Sequence, residues 1–588
     1  MIGIDFIHPA LFFLLLAAVL PFCRGRYWKF LLPVPGIAAI CAVMLMQSGQ
    51  YMHLDYLGVH LTLGRVDQLS IVFAHVFALQ AIIGFIYAWH IRDRGQHVAA
   101  ALYIAGAFGS TFAGDFLTLF VFWELMAVSS TFLIWLNRRK KSVDAGFRYF
   151  LFHTLGGLFL LAGILLKYKA TGSFAFQPAL PSGAAWADYL ILLGFAVNAA
   201  VIPLHAWLPD AYPEATITGA VFLSAFTTKT AVYVLARGFA GFPVLAVAGT
   251  VMAVYGVFYA TIENNARRIL AYHIVSQVGY MVAGIGVGTA MTVNGACAHA
   301  YAHILYKGLL FMGAGCLLYA TGTSRLTQMG GLISKLPLVF IGYMVGAVSI
   351  SGFPLFSGFV SKTMVISGTA AAHHTWLALG LELAAVGTFL SVGIKLPYFA
   401  FYGPKKSEQE IKPLPVNMYV AMFLASLLCL AIGVYPQMLY KLLPFPVSYQ
   451  PYTGWHLTQS LLLLGFTGLG FYLLRKKLRP EAKINLDFDY VYRLIGRGFM
   501  RFCRRPVEAV DNVWSGVYAR IGLRGLSGLA KGSAEFDREE IDRVVDGSAF
   551  SFMRLGRRLN LLQTGNLQDY LAMAAFIGLA IFALAYFL

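Results

Sequence analysis

Residues 203–211, PLHAWLPDA, and residues 354–362, PLFSGFVSK, decide how the surrounding chain is read. The first closes an apolar span about five residues before the next begins, and the second interrupts the span five crossings later. Each is followed by a span with a single buried lysine, Lys229 within VFLSAFTTKTAVYVLARGF (221–239) and Lys395 in the later one. A charged side chain near the bilayer centre costs roughly 2.5 to 3.5 kcal/mol, so such residues usually face a polar interior and carry function. Five is odd, so if 98–239 and 242–402 are copies, they are inverted relative to each other. Helices broken at mid-membrane depth expose backbone groups that an ion or water can use, and inverted repeats built this way are the architecture of ion-moving proteins.

Composition sets the class. The 588 residues are 59% hydrophobic and 12% charged, against about 25% charged in soluble globular domains, so the chain is expected to be a polytopic membrane protein. The net charge of +18 does not point to nucleic acid, because Lys and Arg sit mainly in short connections between spans and in one late segment. The opening MIGIDFIHPALFFLLLAAVLPFC carries Asp5 before its apolar run and Arg24, Arg26 and Lys29 after it, the pattern of a retained first span rather than a cleaved signal. Six cysteines show no CxxC and no paired spacing, so no Fe–S cluster, zinc site or disulfide framework is expected. The run Gly284, Gly286, Gly288 reads as close helix packing rather than a dinucleotide fingerprint.

At about 20 apolar residues per crossing, the sequence predicts an all-α fold of about sixteen transmembrane helices. N-terminal helices fill 1–97, the two five-helix repeats 98–239 and 242–402, and further helices 403–479. Residues 480–566 are too polar to cross and are expected to form an amphipathic segment along the cytoplasmic face, before a last helix at 567–588. Counting Lys and Arg only, one set of alternate loops, with Arg92, Arg138 to Lys141, Arg267, Lys405 and Arg475 to Arg479 among its members, holds 20 residues; the opposite set holds five, Arg65, Lys167, Lys169, Arg237 and Lys441. The rule that basic loops stay inside then puts both termini outside the cytoplasm and the amphipathic segment on its cytoplasmic side.

Four intramembrane features carry chemistry. Glu124, in GDFLTLFVFWELMAVSS, is a carboxyl group inside the fifth span that a nearby lysine would hold ionised. Lys229 is the second feature, and for both a structural ion pair that orders helices is the alternative. His299, His303 and Lys307, in HAYAHILYKGLL, fall at i, i+4 and i+8 on one helix face. No third metal ligand accompanies the histidines and the lysine would repel a cation, so they read as a hydrated proton path or as packing histidines satisfied by carbonyls. The last feature is Lys362 at the broken helix, with Lys395 one span later.

GDFLTLFVFWEL, PLHAWLPDAYPEATITGAVFLSAFTTKTAVY, RRILAYHIVSQVGYM, HAYAHILYKGLLFMGAG, GGLISKLPLVF and SGFPLFSGFVSK occur in one order across about residues 60–405. In that order they resemble the antiporter-like membrane subunits shared by respiratory complex I, its hydrogenase relatives and Mrp-type cation/proton antiporters. The ending, with RRLNLLQTGNLQDY before the last span, resembles the distal complex I subunit that bears a lateral helix. The resemblance implies redox- or gradient-driven transport through two inverted half-channels joined by a central chain of charged residues. Glu124 would be the acidic partner of the first half-channel, Lys229 a relay, His299, His303 and Lys307 the central axis, and Lys362 the terminal lysine of the second half. The family usually has a lysine five residues before the proline of its PLHxWLP motif. That position here is Asn198, which cannot titrate, so either Lys229 pairs with Glu124 instead or the first half-channel works differently; Arg148, early in the sixth span, is another candidate partner.

The expected function is that of a proton- or sodium-translocating membrane subunit of a complex I-like or hydrogenase-type NADH-quinone oxidoreductase assembly, with no catalytic residue and no cofactor of its own. Its partners would be other membrane subunits, the bilayer and the transported ion. The alternatives are a subunit of an Mrp-type antiporter and, in another class, a quinone-reducing enzyme in its own right.

Overall fold

The computed structural model describes residues 6–25, 27–56, 58–404, 411–483, 485–561 and 563–587; Asp5, Arg26 and Lys405, used in the charge pattern, lie outside them. The chain divides into one unit ending at Asp489 and another beginning at Tyr490.

The first unit opens with α1 (Ala10–Val19) and α2 (Val34–Leu45). A β-hairpin follows, β1 (Gly49–Tyr56) and β2 (Val59–Val66), paired antiparallel from Gly49↔Val66 to Tyr56↔Val59. The hairpin departs from the all-helical expectation. Its short alternation of polar and apolar residues is a period-2 signal that a search for spans passes over. Asp67 then caps α3 (Gln68–Tyr87) by accepting from the Ser70 amide.

The first repeat comprises α4 (Arg94–Phe112), α5 (Phe116–Trp135), α6 (Lys140–Thr171), α7 (Trp186–Asn198), α8 (Trp207–Ala211), α9 (Ile217–Leu223) and α10 (Thr227–Gly238). The second comprises α11 (Pro243–Ile262), α12 (Ala266–Val287), α13 (Ala290–Thr321), α14 (Pro337–Ser351), α15 (Ser357–Ala371) and α16 (Thr375–Thr388), which continues helically to Tyr402. The unit ends with α17 (Val416–Val434), α18 (Gln437–Tyr440) and α19 (Gly454–Leu474).

The internal repeat is visible residue by residue. A shift of 150 positions carries the first residue of α5, Phe116, to that of α12, Ala266, and carries both ends of α6, Lys140 and Thr171, onto both ends of α13, Ala290 and Thr321. Asp115 caps α5 as Asn265 caps α12. Gly172 and Gly322 close α6 and α13 in left-handed conformations, and the lone strand bridges Asp115↔Ala175 and Asn265↔Arg325 obey the same shift. Both repeats are broken after their fourth helix, and each break holds a non-glycine residue at positive φ, Ala200 (56°) and Leu355 (73°). Such residues persist only where surrounding packing over-determines them.

Twelve helical segments among the described residues are long and apolar enough to cross a membrane. The other four expected spans carry shorter or less apolar helices, α1, α4, α7 and the split pair α14–α15. The segments Ile217–Gly238 and Ala266–Val287 are wholly surrounded by protein, whereas α19 is mostly exposed. Glycine sets the closest approach between helices: a Cβ on Gly286 would lie 2.0 Å from the Ala246 amide nitrogen, and one on Gly249 2.3 Å from that of Ala283. Gly286 therefore serves packing, as its pattern suggests, and Gly288 is the left-handed residue that ends α12.

In the second unit α20 (Phe488–Phe502), which begins just before the division, α21 (Glu508–Val517), α22 (Arg524–Phe536) and α23 (Asp542–Asn560) join through π-turns at Cys503–Val507, Tyr518–Leu523 and Asp537–Ile541. The run contains no buried side chain, so it is an amphipathic helix without a core of its own. It is followed by the apolar α24 (Leu567–Phe587).

Candidate functional site

α13 puts His299, His303 and Lys307 at four-residue intervals, all fully buried. The ring centres of His299 and His303 are 6.4 Å apart. His299 holds Ser361 Oγ of α15 through Nδ1 at 3.1 Å and Gln277 Oε1 of α12 through Nε2 at 3.2 Å, with the Tyr306 hydroxyl 3.4 Å from the same Nε2. Both nitrogens of His303 and the Lys307 ammonium have no protein partner among the described residues. A buried polar atom left unpaired costs about 1–3 kcal/mol, so native proteins keep few of them, and those they keep often mark function.

The two repeats present their lysines in the same way. Lys362 Nζ donates to the Ile350 carbonyl, near the end of α14, at 2.7 Å and lies 5.0 Å from the centre of the Tyr280 ring. Lys229 donates to the Ser224 carbonyl, where α9 stops, and to Thr228 Oγ1 at 3.0 Å. The apparent single span at 221–239 is thus interrupted at 224–226. A helix break frees carbonyls that cannot find an amide, and a buried ammonium satisfies one of them. α10, which carries Lys229, packs on the central helix α13, and Lys362 reaches α13 through Tyr280 and His299.

Lys395 is held differently. It donates to the carbonyls of Thr261 and, at 3.0 Å, Glu263. These residues end α11, where a cation complements the helix dipole.

The expected partnership of Glu124 is corrected. Among the described residues no Lys, Arg or His nitrogen lies within ion-pair distance of its carboxylate, and Oε1 is buried without a hydrogen bond. Lys229 is engaged at the α9–α10 break, and Arg148 pairs with Asp210 through Nε (2.7 Å) and Nη2 (3.0 Å). Both candidates reach nearer acceptors first. The Glu124 carboxylate rests instead on α6, where a Cβ added to Gly157 would fall 2.0 Å from Oε1.

Three buried groups escaped the sequence reading. His153 of α6 meets Asn198 Oδ1 through Nδ1 at 2.8 Å. His273 of α12 meets Ser391 Oγ through Nε2 at 2.7 Å. His205, inside the quoted motif, lies 3.3 Å from Asp487, which also accepts from the hydroxyls of Tyr255 and, at 2.6 Å, Tyr272. Burial alone would push the Asp487 carboxyl up, but His205 beside it and the two tyrosine hydroxyls outweigh it and hold the group well below the usual carboxylate range. A lone histidine in an apolar span is the signal for His153; nothing in the sequence links His205 to a residue so far along the chain.

Fold and site together define a polytopic membrane protein of two inverted repeats with broken helices and a buried lysine–histidine line. Residues 113–391 match the family model described as NADH:quinone oxidoreductase/Mrp antiporter, TM, so the resemblance read from the six motifs holds over that region. The chain is 32% identical over 327 residues to a Na(+)/H(+) antiporter subunit of Alkalihalophilus pseudofirmus, covering 52% of this chain and 66% of that one. It is 29% identical over 383 residues to a Na(+)/H(+) antiporter subunit of Bacillus subtilis, covering 58% and 48% respectively. The chain thus spans about half to two thirds of these relatives' own length. Among solved structures, the Mrp complex from Dietzia sp. DQ12-45-1b contains a chain that superposes with a TM-score of 0.75 at 24% identity, over 89% of this chain and 62% of its own, a likeness that establishes the shared fold.

Proposed function

We propose that this chain is an ion-translocating membrane subunit of a multisubunit complex of the NADH:quinone oxidoreductase or hydrogenase type, moving protons along the buried line through its two repeats. The observation that carries this reading is the sequence Lys362, Tyr280, His299, His303, Lys307 on touching helices, with His303 and Lys307 left without a protein partner among the described residues. Groups that gain and lose a proton need a partner in each state, and permanently satisfied groups would make a poor relay. The basic connections support an orientation with the amphipathic segment on the cytoplasmic side. Neighbouring membrane subunits are its expected partners, because its relatives are named as antiporter subunits.

Those names also favour a second reading, a subunit of an Mrp-type antiporter exchanging sodium for protons. The experiment isolates the native complex and incorporates it into vesicles. Proton uptake driven by electron transfer, with Fe–S or flavin absorbance in the partners, supports the first reading; exchange driven by an imposed sodium gradient supports the second. Transport unchanged by Lys362→Met would overturn both.

A further inference from the structure

We propose that His153 is the proton-carrying residue of the first repeat, in the register that His303 occupies in the second, with Asn198 as the group that orients it. The inference rests on the proposed function.

Its first support is the repeat itself. The 150-residue shift that superposes both ends of α6 on both ends of α13 carries His153 onto His303, the middle member of the central line. The same shift carries Gly157 onto Lys307. In the first repeat, therefore, the lysine position lacks a side chain, and the Glu124 carboxylate occupies the space it leaves. His153 and Gly157 are one helical turn apart on one face of α6, which brings the carboxylate beside the imidazole's own stripe.

The second support is the state of the polar atoms. His153 is 1% exposed. With Asn198 Oδ1 accepting at 2.8 Å, Nδ1 carries the hydrogen and Nε2 keeps its lone pair. That Nε2, the Asn198 amide nitrogen and Glu124 Oε1 are all buried without a protein partner among the described residues. A histidine retained only for packing would be satisfied on both sides. The ring centres of Tyr149 and Trp207 lie 4.2 and 4.6 Å from that of His153, within the distance at which an aromatic ring can stabilise an imidazolium.

The step is a simple one. Nε2 takes a proton to give imidazolium while Nδ1–H stays on Asn198, and loss of the proton from Nε2 restores the starting tautomer. No other bond changes. Asparagine, unable to titrate, fixes the tautomer, and the titratable group that the resembling family usually carries at 198 is supplied from α6 instead.

The test uses the native complex in vesicles, with proton movement followed by a pH-sensitive dye and the amount of the chain in the complex measured in parallel. His153→Gln is expected to lower transport roughly ten-fold or more without lowering the amount of chain. Adding Asn198→Lys to that variant is expected to restore most of the transport, a rescue that a purely structural histidine would not give. Wild-type transport in His153→Gln overturns the inference. If that variant does not accumulate, the double variant decides: abundant and active supports the proposal, abundant and inactive overturns it. Lys362→Met in the same vesicles keeps the two claims apart: its loss of transport alongside an active His153→Gln sinks this inference and leaves the proposed function standing.

Discussion

Glu124 keeps its carboxylate against the bare backbone of Gly157, so the position of one acid depends on the absence of one side chain. Gly157→Ala puts a methyl group within 2.0 Å of Oε1, and overpacking of this kind typically costs about 1–3 kcal/mol. Here the carboxylate is the movable partner. The expected outcome is a chain that still assembles but transports as poorly as Glu124→Gln, with the double variant no worse than either single one, since residues acting at one point are not additive. Dye-monitored proton flux checks this, and additive losses would contradict it. At this scale the sequence was informative where spacing sufficed: His299, His303 and Lys307 were visible as one face, and Lys362 as the end of a broken helix. Partnerships were not visible. Arg148 stood as close in sequence to Glu124 as to many acids, and only tertiary geometry assigned it to Asp210.

The elements show why the breaks matter. Each interrupted helix frees a carbonyl, Ser224 or Ile350, that a buried lysine uses. The connection after α19 is anchored as well: the Leu486 carbonyl accepts from Tyr259, and Asp487 sits buried between His205, Tyr255 and Tyr272. Because these partners hold the Asp487 carboxyl below its ordinary range, their stabilisation is fully present above the unfolded value of about 3.9 and is lost as pH falls through the folded value. Asp487→Asn is expected to expose residues 480–490 to protease at neutral pH, as acidification well below pH 4 does for the unaltered chain; resistance in the variant would show that the anchor is unimportant. Removal of everything from Tyr490 onward spares the anchor, whereas removal from Pro480 does not. Both truncations are expected to weaken attachment of a neighbouring membrane subunit, and only the second to loosen α11 and α12. Subunit composition after purification, with hydrogen exchange on those helices, distinguishes them. The amphipathic character of this stretch was legible from composition; its anchor was not, because His205 and Asp487 are brought together only by the fold.

Residues 94–402 are organised by one internal repeat, and most of that was legible: two proline-containing breaks and an odd number of crossings between them. The residue-by-residue shift was hidden because the two copies have diverged in side chain while keeping helix ends, caps and breaks. The number of crossings stays short of a reading by length alone, since α1, α7 and α14 are too short to register as spans. On the proposed function, protons cross from one repeat to the other along α13. Lys307, buried and unpartnered among the described residues at the end of that line, is where it is most exposed to test. Proton flux in vesicles containing the native complex should fall at least roughly ten-fold in Lys307→Met, with subunit composition unchanged. Wild-type flux in that variant would contradict the account.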